Sequence, residues 1–198
     1  MSIVVATFGD QSWRQLAAER AIPSAESFGV PFHVVHGDTL AQARNEGVAR
    51  CSTEWVVHLD ADDELAPGYL DELAKGTADL RAPAVSYNGR IPYVPKVAGH
   101  AHDCTAECLE HGNYLVVGAL ARVEQIKAVG GWEGWPVYED WALWLRMWRA
   151  GATVESIPDA VYLAYARHDS RNRGTPMAVR NATHAAIHAA NSGLADAA

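Results

Sequence analysis

WVVHLDADDEL, residues 55–65, is the stretch from which the fold is read. Trp55, Val56, Val57, His58 and Leu59 form a short run rich in β-formers, which predicts a buried strand. The run ends in acid: Asp60, Asp62 and Asp63 arrive together, and Glu64 follows. An ionised carboxylate at the end of a core strand needs a partner, because desolvating it alone is costly. A hard divalent cation suits this cluster, since Mg²⁺ and Mn²⁺ take oxygen ligands and also bind substrate phosphates. In an open α/β sheet, ligands sit outside the carboxyl ends of the strands, where Asp60 and Asp62 fall. The same residues also suit a solvated acidic turn, with Asp63 or Glu64 near the start of the next helix.

On the N-terminal side, Ile3 to Ala6 (IVVA) predicts a first strand that ends in the polar loop Thr7 to Asp10. Ser12 is placed to cap a helix through Trp13, Leu16, Ala17 and Arg20, with Pro23 interrupting it or opening a new turn. Val30 to His36 predicts a second strand. Thr39 then caps a helix whose Leu40, Ala43 and Val48 face the sheet. Gly47 weakens that helix, so it points to a close packing contact. On the C-terminal side, Pro67 opens a helix carrying Tyr69, Leu70 and Leu73. Strand and helix alternate three times, which argues for a parallel sheet with right-handed crossovers.

Beyond this, Ala82 to Tyr87 predicts a fourth strand, and Asn88 to His111 is irregular. Tyr114 to Leu120 (YLVVGAL) is apolar again. Val123 to Val129 predicts a short helix closed by Gly130 and Gly131. A helix from Glu139 to Ala150 ends at Gly151 and buries a face carrying Trp141, Trp144, Leu145 and Trp148. Two short strands, Val154 to Ile157 and Val161 to Tyr165, flank Pro158, and an alanine-rich helix runs from Pro176 to Ala190. With no repeat and no linker, a single domain over residues 1–198 is expected.

Composition narrows the functional classes. Apolar residues at 49% and charged residues at 20% mark a globular chain. No apolar run reaches membrane-spanning length and no signal-type start is seen, so a cytoplasmic protein is expected. Cys51, Cys104 and Cys108 fit a reducing compartment. A net charge of −8 disfavours strong duplex nucleic-acid binding, leaving only a local basic patch near Arg167, Arg171 and Arg173. His100, His102, Cys104, Cys108 and His111 crowd potential zinc ligands together, but their spacing matches no recognised zinc motif.

Several segments, in order, resemble the family 2 glycosyltransferases with a GT-A fold. These are VVATF at the start, ARNEG at Ala43 to Gly47, HLDADDEL at His58 to Leu65 and GALARVEQIKAVGGW at Gly118 to Trp132. EDWALWLRMWRAG at Glu139 to Gly151 and ARH at Ala166 to His168 complete the set. The resemblance implies an α/β fold with a mainly parallel sheet flanked by helices. Residues 1–81 would form a nucleotide-sugar-binding half, 82–175 an acceptor-side half, and 176–198 a C-terminal helix.

It also implies roles. Thr7 and Phe8 would meet the nucleotide. The family's usual Pro-Thr-Tyr-Asn reads Ala6-Thr7-Phe8-Gly9 here, so the Asn contact is absent. Asp38 would read the base or ribose, Arg44 and Asn45 would lie beside the donor sugar or diphosphate, and Asp60 would touch the ribose, with Ala61 beside it on the donor side. Asp62 would ligate Mn²⁺ or Mg²⁺, joined by His168. Asp140 matches the catalytic base, with Glu139 on the acceptor side. Trp132 and Trp135, in a loop bearing Gly and Pro, are the candidates to stack on a sugar.

The chemistry accounts for such residues. A nucleoside diphosphate leaves as an anion, so a bridging cation stabilises developing charge. The attacking hydroxyl is a poor nucleophile, and a positioned carboxylate can take its proton. At a helix start the dipole lowers the pKa of Asp140, while nearby tryptophans raise it. The expectation is a metal-dependent, inverting transferase using a nucleotide sugar, with UDP as the base-bearing part. The acceptor is open among glycan, lipid carrier, protein and modified nucleobase. Two rival readings stand. A nucleotidyltransferase would want a Gly- and Lys/Arg-rich loop after the first strand. A non-catalytic sugar-nucleotide or glycan-binding module would not need Asp140.

Overall fold

The computed structural model describes residues 1–97, 104–165 and 174–192. Seven strands form one sheet: β1 (Ser2–Phe8), β2 (Phe32–Gly37), β3 (Trp55–Asp60), β4 (Glu64–Leu65), β5 (Leu80–Tyr87), β6 (Leu120–Arg122) and β7 (Val154–Ala164). Their order across the sheet is β2-β1-β3-β6-β5-β7-β4. β1 pairs parallel with β2 and β3, and β5 pairs parallel with β7; β6 runs antiparallel between β3 and β5, and β4 antiparallel at the far edge. β1, β2, β3, β5 and β7 therefore all finish at the same edge, where ligands of an α/β sheet bind. The expected α/β architecture with a mostly parallel sheet flanked by helices is observed.

Seven α-helices are described: α1 (Gln11–Glu19), α2 (Ala21–Glu26), α3 (Leu40–Arg50), α4 (Tyr69–Ala74), α5 (Val123–Ala128), α6 (Glu139–Arg149) and α7 (Met177–Asn191). Thr39 caps α3 as the sequence predicts, its hydroxyl accepting from Gln42 N at 3.1 Å. Ala43 and Val48 are buried against the sheet. A Cβ on Gly47 would run into Val4 Cγ1, so the glycine marks the close approach of α3 to β1. The cap of α1 is Asp10 rather than Ser12: the carboxylate accepts from Ser12 N at 2.9 Å, a stronger partner for an orphan helix N–H than a hydroxyl. Pro23 opens no break but sits in the first turn of the separate helix α2.

Of the apolar run Tyr114 to Leu120 only Leu120 enters the sheet, as the start of β6, after Ala119 N turns back to Val116 O at 3.1 Å. Two other expectations change. The two strands around Pro158 are one strand, β7, whose register against β5 shifts between Pro83 and Ala84. A bulge accommodates residues that cannot donate to a ladder. α6 buries more than the predicted stripe: Trp141, Leu143, Trp144, Leu145 and Met147 are all covered, with Trp148 half-buried. No helix among the described residues is long and apolar enough to cross a membrane.

Candidate active site

The site begins with one buried cation. Arg44, on α3, is 2% exposed. Its Nη2 donates to Asp60 Oδ1 at 2.8 Å, and its Nη1 donates to Glu139 Oε1 at 3.2 Å. Its guanidinium lies over the Trp132 ring, 4.3 Å from the centroid. A buried charge survives only when it is paired. Here burial works against the guanidinium's charge, and Asp60 with Glu139 more than offsets it, so its pKa rises. Arg44 thus ties three elements: the helix after β2, the acid end of β3, and the start of α6.

The neighbouring residue secures the same junction. Asn45 Nδ2 donates to Trp132 O at 2.9 Å, and Asn45 Oδ1 accepts from Trp132 N at 2.7 Å. Both amide atoms are engaged by the Trp132 backbone. Gly131, at φ 76°, brings that backbone close, since a Cβ there would meet Asn45 Oδ1. Trp132 is 3% exposed, with its indole N–H donating to His58 Nε2 at 3.2 Å. It forms the floor beneath Arg44 and offers no open face for stacking. Burial, then the charge of Arg44, push the His58 pKa well below its usual value, so the ring is neutral and accepts the indole proton. Trp135 is half-buried, its indole N–H donating to Glu133 Oε2 at 2.8 Å.

The acid turn after β3 is divided among partners. Asp60 keeps its side chain 35% exposed beside Arg44, and its backbone N–H donates to the Tyr162 hydroxyl at 3.2 Å. Ala61 is buried. Asp62 is half-buried, with its backbone carbonyl accepting from Arg20 Nη1 at 2.6 Å. Asp63 turns inward, where its Oδ1 accepts from Tyr165 N at 2.8 Å. Burial first, then the charges of Asp60 and Asp62, hold the Asp63 carboxyl well above the usual range. Glu64 accepts from the Tyr165 hydroxyl at 2.6 Å. Tyr162 and Tyr165 of the β7 end therefore fasten the turn, a role no sequence motif signalled.

At the head of α6, Glu139 is buried against Arg44 while Asp140 is half-buried. Tyr138 precedes them at φ 66°, a left-handed conformation that turns the chain into the helix. Asp140 Oδ1 accepts from Trp141 N at 2.8 Å, and Oδ2 accepts from Asn113 Nδ2 at 2.9 Å. Desolvation, followed by the adjacent Glu139 charge, raises the Asp140 pKa to about 6. Burial and a like charge thus outweigh the helix dipole. A carboxylate poised there accepts a proton near neutral pH more readily than an ordinary aspartate.

The N-terminal strand ends are arranged differently. Thr7 is buried and its hydroxyl pairs with His36 Nδ1 at 3.0 Å, bridging β1 and β2; Phe8 is half-buried. Asp38 is exposed just beyond β2, its N–H donating to Gln42 Oε1 at 3.0 Å. All three lie at the same sheet edge as Asp60. His168, the basic patch at Arg167, Arg171 and Arg173, and His100 and His102 lie outside the described residues. All three cysteines are free thiols. Among the described residues no three His, Cys, Asp or Glu side chains are grouped to hold a metal by themselves.

The family model for glycosyl transferase family 2 matches residues 14–112, the span carrying α3, β3 and the acid turn. The chain belongs to that family. Among solved structures, the family 2 chain is similar to residues 1–349 of S. aureus TarS in complex with UDP-GlcNAc. That match has a TM-score of 0.62 and 14% identity, covering 98% of this chain and 70% of the other. A longer S. aureus TarS chain matches at a TM-score of 0.57 and 14% identity over 83% of this chain, and only 36% of its own length is spanned. The mannosyltransferase PcManGT from Pyrobaculum calidifontis, in complex with GDP-Man and Mn²⁺, matches at a TM-score of 0.60 and 15% identity, covering 96% of this chain and 63% of the other. Such identities speak to a shared fold. Comparison with curated protein sequences gives no match.

Proposed function

We propose that this family 2 chain is a metal-dependent, inverting glycosyltransferase that moves a sugar from a UDP-sugar to an acceptor hydroxyl. The observation that carries the reading is the Arg44 junction. It holds Asp60, at the end of β3, and Glu139, at the head of α6, on one buried guanidinium. That juxtaposition puts the acid turn and Asp140 at one sheet edge, so a donor held by the first would face a base offered by the second. Residues 1–81 would bind the donor and 82–175 would face the acceptor, followed by α7 (Met177–Asn191).

Asp140 would take the acceptor proton as the hydroxyl attacks the anomeric carbon in line with the departing diphosphate, which inverts that centre. Asp60, Ala61 and Asp38 would contact the nucleoside, with Thr7 and Phe8 behind it. Asp62 and His168 would hold Mn²⁺ or Mg²⁺. The acid turn suits such an ion: Asp63 is driven toward its neutral form partly by the charges of Asp60 and Asp62, so the turn carries negative charge that a hard cation would offset. Such ions use one or two carboxylates plus substrate phosphates, so a preformed cage is not required. When bound, the cation would neutralise charge developing on the leaving diphosphate.

PcManGT is in complex with GDP-Man and Mn²⁺, and TarS with UDP-GlcNAc, which makes both nucleotide classes worth assaying. The test is a screen of UDP- and GDP-sugars for nucleotide release with and without Mn²⁺. Mn²⁺-dependent release from a UDP-sugar is expected. Tight UDP binding without release from any donor would instead favour the non-catalytic module.

A further inference from the structure

We infer that Asn113 is a positioning residue for Asp140, holding one carboxylate oxygen in place and keeping the group available as a base. The inference rests on the reading of Asp140 as the general base, and it concerns a residue that no motif marks.

Asn113 precedes the bent segment that leads into β6, far from the acid turn and from α6 in sequence. Its amide makes two hydrogen bonds with opposite requirements. Oδ1 accepts from Leu115 N at 3.0 Å, and Nδ2 donates to Asp140 Oδ2 at 2.9 Å. Only a carbonyl oxygen can accept from a backbone N–H, and only the NH₂ can donate to a carboxylate. The amide orientation is therefore fixed by chemistry: a flip would oppose donor to donor at Leu115 and acceptor to acceptor at Asp140.

Asp140 is then held at both oxygens, Oδ1 by Trp141 N at 2.8 Å and Oδ2 by Asn113. Two fixed donors set the carboxylate plane, and they leave the remaining lone pairs to meet a substrate proton. The donation also opposes the surroundings. Burial, Glu139 and Asp60 all favour the protonated acid, while Trp141 N and Arg44 favour the carboxylate. Tyr87, at the end of β5, also feels the Asp140 charge. A neutral amide donor adds to the ionising side without adding charge. Among the described residues it is the one hydrogen-bond donor to Asp140 from outside α6.

The experiment reads Asp140 directly. The carboxyl ¹³C of labelled aspartates is titrated by NMR in the full chain, with the Asp140 signal assigned by its loss in Asp140→Asn. Asn113→Ala removes the donor and should raise the Asp140 midpoint by about one pH unit. Asn113→Asp retains an oxygen for Leu115 N and so preserves the bend, but it replaces the donor with an acid and should raise the midpoint further. In turnover, both variants should move the acid limb of the pH profile upward and recover activity at higher pH, with donor KM little changed. An unchanged Asp140 midpoint in both variants overturns the inference, even if melting temperatures fall, because a residue that merely pins the bend would change stability alone. If Asn113 variants leave the midpoint in place while Asp140→Asn is inactive, the inference fails and the proposed function stands. If Asp140→Asn turns over normally, both fail together.

Discussion

The acid turn after β3 and the acid pair at the head of α6 are built from the same residue types but partnered differently, although each holds one carboxyl, Asp63 or Asp140, raised by burial and neighbouring acids. In the turn the acids are partnered from two sides: Asp60 meets Arg44, Asp63 and Glu64 both meet Tyr165 just past β7, and Asp62 is half-buried between them. At α6, two adjacent acids face the same crowded junction, and Asp140 is left with a pKa raised to about 6. Dispersed acids suit holding a cation and a nucleotide. Adjacent, desolvated acids suit accepting a proton, because each disfavours the other's charge. What an acidic residue does is thus decided by who shares its charge.

The strongest way to break this contrast is Asp140→Asn. Turnover should fall on the order of 10²–10⁴-fold with donor affinity nearly unchanged. Stability should move the other way: removing a carboxylate that folding desolvates beside Glu139 should raise the melting temperature at pH 7. Near-normal turnover would remove Asp140 from the mechanism. Next in size is Arg44→Leu, which leaves Glu139 buried without its cation and should cost about 3–5 kcal/mol in urea unfolding. Repeating that measurement on the Arg44→Leu/Glu139→Gln pair should recover part of the loss, and no recovery would mean the ion pair is not what the junction depends on.

The turn is tested by Asp62→Asn. Affinity for UDP in Mn²⁺ should drop by about tenfold or more, while affinity without metal stays level; calorimetry showing equal loss in both conditions would take Asp62 out of the cation site. pH separates the two clusters further. A carboxyl whose folded pKa is raised binds its proton more tightly in the folded state. The Asp140 contribution therefore stabilises the fold as pH falls from above 6 toward the ordinary aspartate value near 4, and is lost as pH rises through about 6. Catalysis needs the ionised form, so activity should rise through the same window. In Asp140→Asn that part of the stability slope should vanish. Gly47→Ala drives a methyl into Val4 and should cost about 1–3 kcal/mol without altering the pH profile, because it lies away from both clusters.

The turn was legible in the sequence because local rules produce it: a β-rich run, an abrupt change to acid, and a helix on either side, the one before it capped by Thr39. Thr39, Gly47 and the Tyr69–Leu73 face followed from spacing alone and are found as read. The α6 cluster was legible only through resemblance, and its electrostatics was not legible at all, since the direction of the Asp140 shift depends on burial first and then on the balance of Glu139, Arg44 and Asp60 meeting in space. Tyr162 and Tyr165 were invisible for the same reason, lying 102 residues from the groups they hold. Trp132 looked like a platform because its loop is rich in Gly and Pro. Gly131 instead lets the backbone approach Asn45, and the ring is buried.

The Asn45 clasp on Trp132 joins residues 87 apart in sequence. Closing so long a loop is entropically unfavourable until most of the sheet exists. The junction that organises the site should therefore be among the last parts of the molecule to form and, on unfolding, among the first to open. Asn45→Ala should leave the refolding rate nearly untouched and speed unfolding, the signature of a contact absent from the transition state. The chain would then acquire its fold before it acquires its site, and a protein with an intact sheet and a sprung clasp would still pass for native by circular dichroism.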